Sequence, residues 1–321
     1  MAKTDLTTEL VKEFTELQGI VGGLYAQVQN LDEDVPKPTQ ELIAQAIYDQ
    51  YKPESMEDSV PGTVEGAVLA IGDKADSIAG MFALGLQPTG SKDPFALRRQ
   101  ANGIVKIIAE HKLPLPLSAI TRYARETYQG SAAERKFPAN LGYAESVSEF
   151  FRERLEFYLR DTLGFRYDVV NAVLSADSDD VVDVIARAEA VKSVLPMPEF
   201  QAIAAACKRM RNILRQADEK KISPAARFEY LADAADEEQL LAGYMERTGP
   251  KAEEHRKKAE YKEALLALST TREHVDRFFD KVMVMVDDQR IRANRLALLQ
   301  TLLKEFSTIA DFSEIVTEGK G

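Results

Sequence analysis

Apolar residues recur along this chain at intervals of three and four rather than two. Residues 41–51 place Leu42, Ala46, Ile47 and Tyr51 at helical spacing, and 64–86 carry Val64, Val68, Ile71, Ala75, Ile78, Phe82 and Leu86 on one stripe. Alternating runs of Val, Ile, Thr and Tyr are nearly absent, while Ala, Leu, Glu, Lys, Arg and Gln fill long stretches, so the pattern predicts an all-α fold. Pro36, Pro38, Pro53 and Pro61 mark the breaks between the first elements. Asp93-Pro94 reads as a helix start, because the carboxylate can accept from orphan amides and proline fits the first turn. The helix then runs to Glu110 and leaves Pro88-Thr-Gly-Ser-Lys-Asp93 as a loop.

The run Leu113-Pro-Leu-Pro-Leu-Ser118 must leave helical geometry. It sets the expected division: a first helical domain over 1–115, a connecting helix and loop over 116–144 with Gly130, Pro138 and Gly142, and a helical bundle over 145–321. Within the bundle Phe150, Phe151, Leu155, Tyr158 and Leu159 share one helix, and the apolar stretch Val169 to Leu174 follows. The acidic Asp177-Ser-Asp-Asp180 suits a helix N-terminus electrostatically. Further helices are expected near 180–193, 198–217, 225–246, 251–267, 271–286 and 288–308, with Lys251 to Lys262 as a solvated charged face.

Charge and composition narrow the chemistry. With 41 Lys and Arg against 52 Asp and Glu the formal charge is −11, which disfavours indiscriminate binding of DNA or other polyanions but leaves room for a local basic face. The single cysteine, Cys207, excludes a disulfide framework or a cysteine zinc cluster, and it shares the apolar side of a helix with Ile203, Met210 and Leu214. No apolar run is long enough for a membrane span, and Met1-Ala-Lys-Thr-Asp-Leu has neither signal-peptide nor transit-peptide character, so a cytoplasmic protein is expected. His111, His255 and His274 are far apart and read as ordinary side chains. No HExxH, GxSxG, GxGxxG or GxxxxGK[ST] occurs, so zinc-protease, hydrolase, dinucleotide and P-loop chemistries lack support.

Two short stretches stand where an HD-type phosphohydrolase would carry its His-Asp step and its late aspartate: Ala2-Lys-Thr-Asp5-Leu and Ala70-Ile-Gly-Asp73-Lys-Ala-Asp76. Thr4 occupies the histidine's place, and carboxylates without nitrogen ligands make a poor transition-metal cage. Asp5 and Asp73 are therefore read as vestigial positions that cap or bridge helices, with no metal expected. An active metal-dependent phosphohydrolase and a helical scaffold that binds only protein remain as alternative readings.

A more specific resemblance covers nearly the whole chain. Glu13-Phe-Thr-Glu-Leu-Gln-Gly19, Tyr25-Ala26, Gly72-Asp-Lys-Ala-Asp76 and Pro88-Thr-Gly-Ser-Lys-Asp-Pro-Phe-Ala-Leu-Arg-Arg99 closely resemble the β subunit of the bacterial heterotetrameric glycyl-tRNA synthetases. So do Lys208-Arg-Met-Arg-Asn-Ile-Leu214, Phe279-Asp-Lys-Val-Met-Val-Met285, Arg292-Ala-Asn-Arg-Leu296 and Ala310-Asp-Phe-Ser313. The chain is similar to the carboxy-terminal half of that subunit, so the partners implied include the missing amino-terminal half. The resemblance implies an HD-like helical domain followed by an anticodon-binding helical bundle, a role in gripping tRNA for glycine, and an α subunit that binds glycine, ATP and magnesium and performs the chemistry. No cofactor and no catalytic residue is expected in this chain.

Three basic groups are candidate contacts. The helix around 203–215 carries Lys208, Arg209, Arg211 and Arg215, with Asn212 among them and no acid inside it, while Ile203, Cys207, Met210 and Leu214 turn inward. The alternative for these cations is ion pairing with Asp177 to Asp183. Arg290, Arg292, Asn294 and Arg295 follow Asp287-Asp288, which looks like a helix cap. Asn294 could present its amide to a base edge, or Arg295 could pair with Asp287, Asp288 or Asp311. Lys92, Arg98 and Arg99 flank the Pro88 to Asp93 loop, whose amides could meet a phosphate of tRNA or touch the α subunit; equally, the arginines could anchor to Asp73 or Asp76.

Overall fold

The computed structural model describes residues 3–29, 36–137 and 142–316, and every regular element among them is helical. Pro138 of the expected connecting loop lies outside the described residues. In chain order the helices are α1 (Glu9–Glu13), α2 (Ile20–Val28), α3 (Lys37–Asp49), α4 (Val64–Ala83), α5 (Leu97–His111), α6 (Leu117–Glu126) and α7 (Tyr143–Phe157). They continue as α8 (Tyr167–Ala176), α9 (Val181–Val194), α10 (Pro198–Glu219), α11 (Asp236–Lys257), α12 (Tyr261–Ser269), α13 (Arg272–Lys281) and α14 (Gln289–Phe306). Short helical turns lie at Thr4–Thr7, Thr15–Leu17, Glu134–Lys136 and Phe312–Glu314, and a π-helical turn at Tyr158–Thr162 follows α7.

Backbone contacts divide the chain into two units, Met1–Tyr158 with Asp179–Val182, and Leu159–Ser178 with Asp183–Gly321. In the first unit α4 is the central helix, with α3, α5, α6 and α7 packed around it. Ala67, Ala70, Ile71, Ala75, Ile78, Ala79 and Phe82 are buried against a core that includes Leu97, Ala101, Ile104, Ile107 and Ile108 from α5. Gly80 allows the closest approach, since a Cβ there would lie 2.6 Å from the Tyr128 hydroxyl. The division falls at Tyr158 and not in the proline run. Residues 113–116 do leave helical geometry, yet α6 and α7 pack back on α4, and Asp179 caps α6 by accepting from the Ser118 amide at 2.7 Å and the Leu117 amide through its carbonyl at 3.0 Å.

Two buried lysines tie the irregular segment after α3 to this core. Lys74 on α4 donates to the carbonyls of Gln50, Tyr51 and Lys52 at 3.3, 3.3 and 2.9 Å. Lys106 on α5 donates to those of Met56 and Asp58, both at 2.6 Å. Burial brings the Lys74 ammonium down to about 8. Val64 and Val68, placed on the buried stripe by their spacing, instead stand 55% and 53% exposed, and Leu42 on α3 is 41% exposed. Lys74 and the alanines of α4 take the inner positions.

The second unit is a helical bundle in which α10 packs on α13, α14 and the Phe312–Glu314 turn, and α11 packs on α12 and α13. Its polar keystone is Arg187 on α9, buried, which donates to the carbonyls of Val173, Ile309 and Asp177 and pairs with Asp183 at 2.7 Å. Two expected boundaries move. Residues 223–235 are not helical, because Ala225 donates to the Ala293 carbonyl at 2.9 Å, and α11 begins only at Asp236. That helix then runs through Pro250 to Lys257 rather than breaking at the proline. Pro250 and Glu246, whose carbonyl loses its intrahelical donor, both face solvent, where water can replace the missing bond. Asp180 accepts from Val182 at 2.9 Å at the start of α9, and Asp288 from Ile291 at 3.0 Å at the start of α14.

Candidate nucleic-acid interface

On α10, proline at the first turn and a run of alanines favour the helix, and its periodicity separates two faces. Phe200, Ile203, Ala204, Cys207, Met210 and Ala217 are buried. Burial pushes the Cys207 thiol up, which makes it an inert core residue. On the outer side Lys208, Asn212 and Arg215 stand at steps of four and three, all exposed, with Arg209 beside them. The Arg209 guanidinium lies 4.3 Å above the centre of the Phe279 ring from α13. Among the described residues Arg215 pairs with Glu219 alone, at 4.0 Å with both side chains in solvent, a pairing of little strength.

Arg211 departs from this group. It points to the end of the chain's described part, pairing with Glu314 at 2.7 Å and with Asp311, and so fastens the Phe312–Glu314 turn to α10. The partner is thus not the Asp177 to Asp183 stretch, whose Asp183 is taken by Arg187 and Tyr261.

The polar residues expected to face RNA on α14 are used inside the bundle. Asn294 is buried and its amide is fully occupied by the Glu229 backbone, accepting from its N–H at 2.8 Å and donating to its carbonyl at 2.9 Å. Arg295 is buried too, pairing with Glu238 at 2.5 Å and donating to the Met283 carbonyl at 2.7 Å. Neither Asp287, Asp288 nor Asp311 supplies its partner. Arg292 donates to the Val286 carbonyl at 2.9 Å, and only Arg290, paired with Asp233, stays on the surface. A sequence window shows the cations of one helix; it does not show Glu238, which arrives from α11.

In the first unit the Pro88 to Asp93 loop closes on itself. Thr89 and Lys92 exchange backbone hydrogen bonds of 3.1 and 2.9 Å around Gly90, whose φ of +52° suits glycine. Asp93 accepts from the amides of Leu97 at 2.8 Å and Arg98 at 3.0 Å. The helix therefore begins at Leu97, later than expected, and its first amides are satisfied from within, so they are not free for a phosphate. Lys92 and Arg99 are exposed and Arg98 is half-buried. No ion pair joins either arginine to Asp73 or Asp76 among the described residues; Asp73 pairs with Lys3 at 2.5 Å.

Lys3, Tyr51, Asp73, Lys74 and Arg99 line a cleft of about 240 Å³. Asp5 is buried beneath the first turns and accepts from the Gly19 amide at 2.6 Å. Burial, with Asp5 and Asp73 nearby, pushes the Tyr51 hydroxyl up to about 12. Among the described residues no three His, Cys, Asp or Glu side chains converge so as to hold a metal ion. The histidines have local partners: His111 meets the Pro61 carbonyl and His255 meets Glu260, each at 2.7 Å, while His274 stacks on Tyr244 at 4.2 Å. No helix among the described residues is long and apolar enough to cross a membrane.

The helices from α10 to the last described turn coincide with a known class: residues 203–313 match the DALR anticodon binding domain. Residues 1–175 match the profile of the glycyl-tRNA synthetase beta subunit, and the chain belongs to that family. It is 53% identical over 98% of its length to the glycine–tRNA ligase beta subunit of Acidobacterium capsulatum, and 43% identical over 99% to that of Syntrophus aciditrophicus. The corresponding subunit of Desulforamulus reducens is 38% identical over the full chain. The chain spans 43% of each of the first two relatives and 44% of the third, matching their carboxy-terminal part.

Proposed function

We propose that this chain is the tRNA-gripping part of a glycine–tRNA ligase of the cytoplasm, with the outer face of α10 as its principal RNA contact. Glycine activation with ATP and magnesium belongs in this reading to an α subunit, and this chain supplies no reacting group. The observation that carries the proposal is the stripe of Lys208, Arg209, Asn212 and Arg215, which stays in solvent inside the anticodon-binding match while the neighbouring cations are consumed by ion pairs.

Arg209 over Phe279 combines a charge for phosphate with a plane on which an unpaired base can stack, and Lys208 adds a point charge beside it. Lys92, Arg98 and Arg99 form a secondary basic patch in the first unit that serves the tRNA body or the α subunit through side chains alone. The test is binding of glycine tRNA and of the same tRNA with a changed anticodon to this chain, at two salt concentrations. Salt-sensitive binding that weakens when the anticodon is changed supports the proposal. Equal binding of both RNAs removes the anticodon reading.

A further inference from the structure

The first elements of the chain build a surface unlike the rest of the molecule. Tyr25, Leu42, Ile43, Val64 and Val68 are all exposed there. The first three line, with Ile47 and Leu69, a groove of about 760 Å³ that has threonines 4, 7, 8 and 39 along it. An apolar patch of this kind marks an interaction site. The helical register makes the same point, because the Val64 and Val68 pair sits at i and i+4 on a side of α4 that none of the core covers.

We infer that this groove is the seat of the region that precedes the matched part in glycine–tRNA ligase beta subunits. The inference rests on the family reading of the preceding section. More than half of each relative lies outside the match, ahead of the part that corresponds to this chain. In those relatives the elements that form the groove belong to the early part of the match, so the preceding region arrives beside it. Being joined through the chain, it needs only modest contact to stay in place, since its effective concentration at the groove is high. The apolar floor of Tyr25, Leu42, Ile43, Ile47 and Leu69 offers burial.

The experiment uses single cysteines, the native Cys207 being buried. Leu42→Cys and Tyr25→Cys variants, both at exposed positions lining the groove, with Met283→Cys as a reference on the second unit, are labelled with a maleimide in this chain and in a fusion where the chain replaces the carboxy-terminal part of the Acidobacterium capsulatum subunit. The expected result is labelling at Leu42→Cys and Tyr25→Cys at least about tenfold slower in the fusion, with Met283→Cys unchanged. Equal rates in a cooperatively folding fusion overturn the inference. Should the fusion not fold, the aligned positions of the intact Acidobacterium capsulatum subunit give the same readout. Protection already present in this chain alone, with a dimeric mass, assigns the groove to a second copy; protection that arises only on adding the α subunit assigns it there, and both overturn the inference. Glycine tRNA binding by the chain is measured separately, so loss of the docking result with tRNA binding intact leaves the family reading standing.

Discussion

α10 and α14 carry nearly the same polar alphabet, arginines with one asparagine and a few carboxylates at the ends, yet one helix presents it and the other consumes it. On α14 the inward side meets Glu238 from α11 and the Glu229 backbone, so Arg295 and Asn294 become struts of the bundle. Among the described residues the outer stripe of α10 meets no carboxylate of a packed neighbour, and an aromatic ring supports it instead. Arg211, three residues from Lys208, belongs to the first kind, because Asp311 and Glu314 reach it. What decides between contact and scaffold is the residue across the interface. The composition of the helix itself does not.

The largest effect that could break this contrast is at Arg295. Replacing it with alanine leaves the buried Glu238 unpaired, and a loss of about 3–5 kcal/mol in urea-induced unfolding is expected. Asn294→Ala strands an amide and a carbonyl of Glu229 and is expected to cost about 1–3 kcal/mol in the same measurement. Arg211→Ala is milder, about 1 kcal/mol, since its guanidinium is partly in solvent. The double variant Lys208→Ala/Arg209→Ala should unfold within about 1 kcal/mol of the parent, losing only the stack on Phe279. A reversed order, with the α10 pair costing most, would erase the distinction.

The first unit contains the same two kinds of cation. Arg99 stands exposed at its cleft, whereas Lys74 is spent on three carbonyls. Lys74 holds its proton less firmly in the folded chain, at about 8, than in the unfolded chain, at 10.5. Between those values the unfolded chain binds the extra proton, so this group makes stability rise with pH through that window. The Tyr51, Tyr128 and Tyr143 hydroxyls, each pushed up to about 12 chiefly by burial, act in the opposite sense above pH 10. Unfolding curves at pH 7.5 and 9.5 should differ less in Lys74→Met than in the parent.

The all-α class and most of the helices were legible in the sequence, because periodicities of three and four survive burial on one side. Asp180 and Asp288 announced helix starts for the same reason, being local. The failures are long-range. Val64 and Val68 kept the right spacing and the wrong side, since nothing local says whether a partner surface is present. Separate helices near 225–246 and 251–267 are expected from the sequence, but α11 runs through Pro250, whose missing bond falls on a solvent-facing side. The Asp93-Pro94 start was displaced because its carboxylate reached past the turn to Leu97 and Arg98. For the candidate site, the α10 stripe followed from helical geometry, while the pairing of Arg211, Asn294 and Arg295 depended on residues tens of positions away. Phe279 lay within a recognisable motif, but only the fold places it beneath Arg209.

The most direct test is the salt dependence of glycine tRNA binding to the parent and to Lys208→Ala/Arg209→Ala, both first shown to unfold alike. Each phosphate contact on a single-stranded loop contributes about −0.7 to the slope of log affinity against log salt, so the slope should shallow by about 1.4 in the variant, with weaker binding at the lower salt. Unchanged affinity and slope would mean that the exposed face of α10 does not touch the RNA.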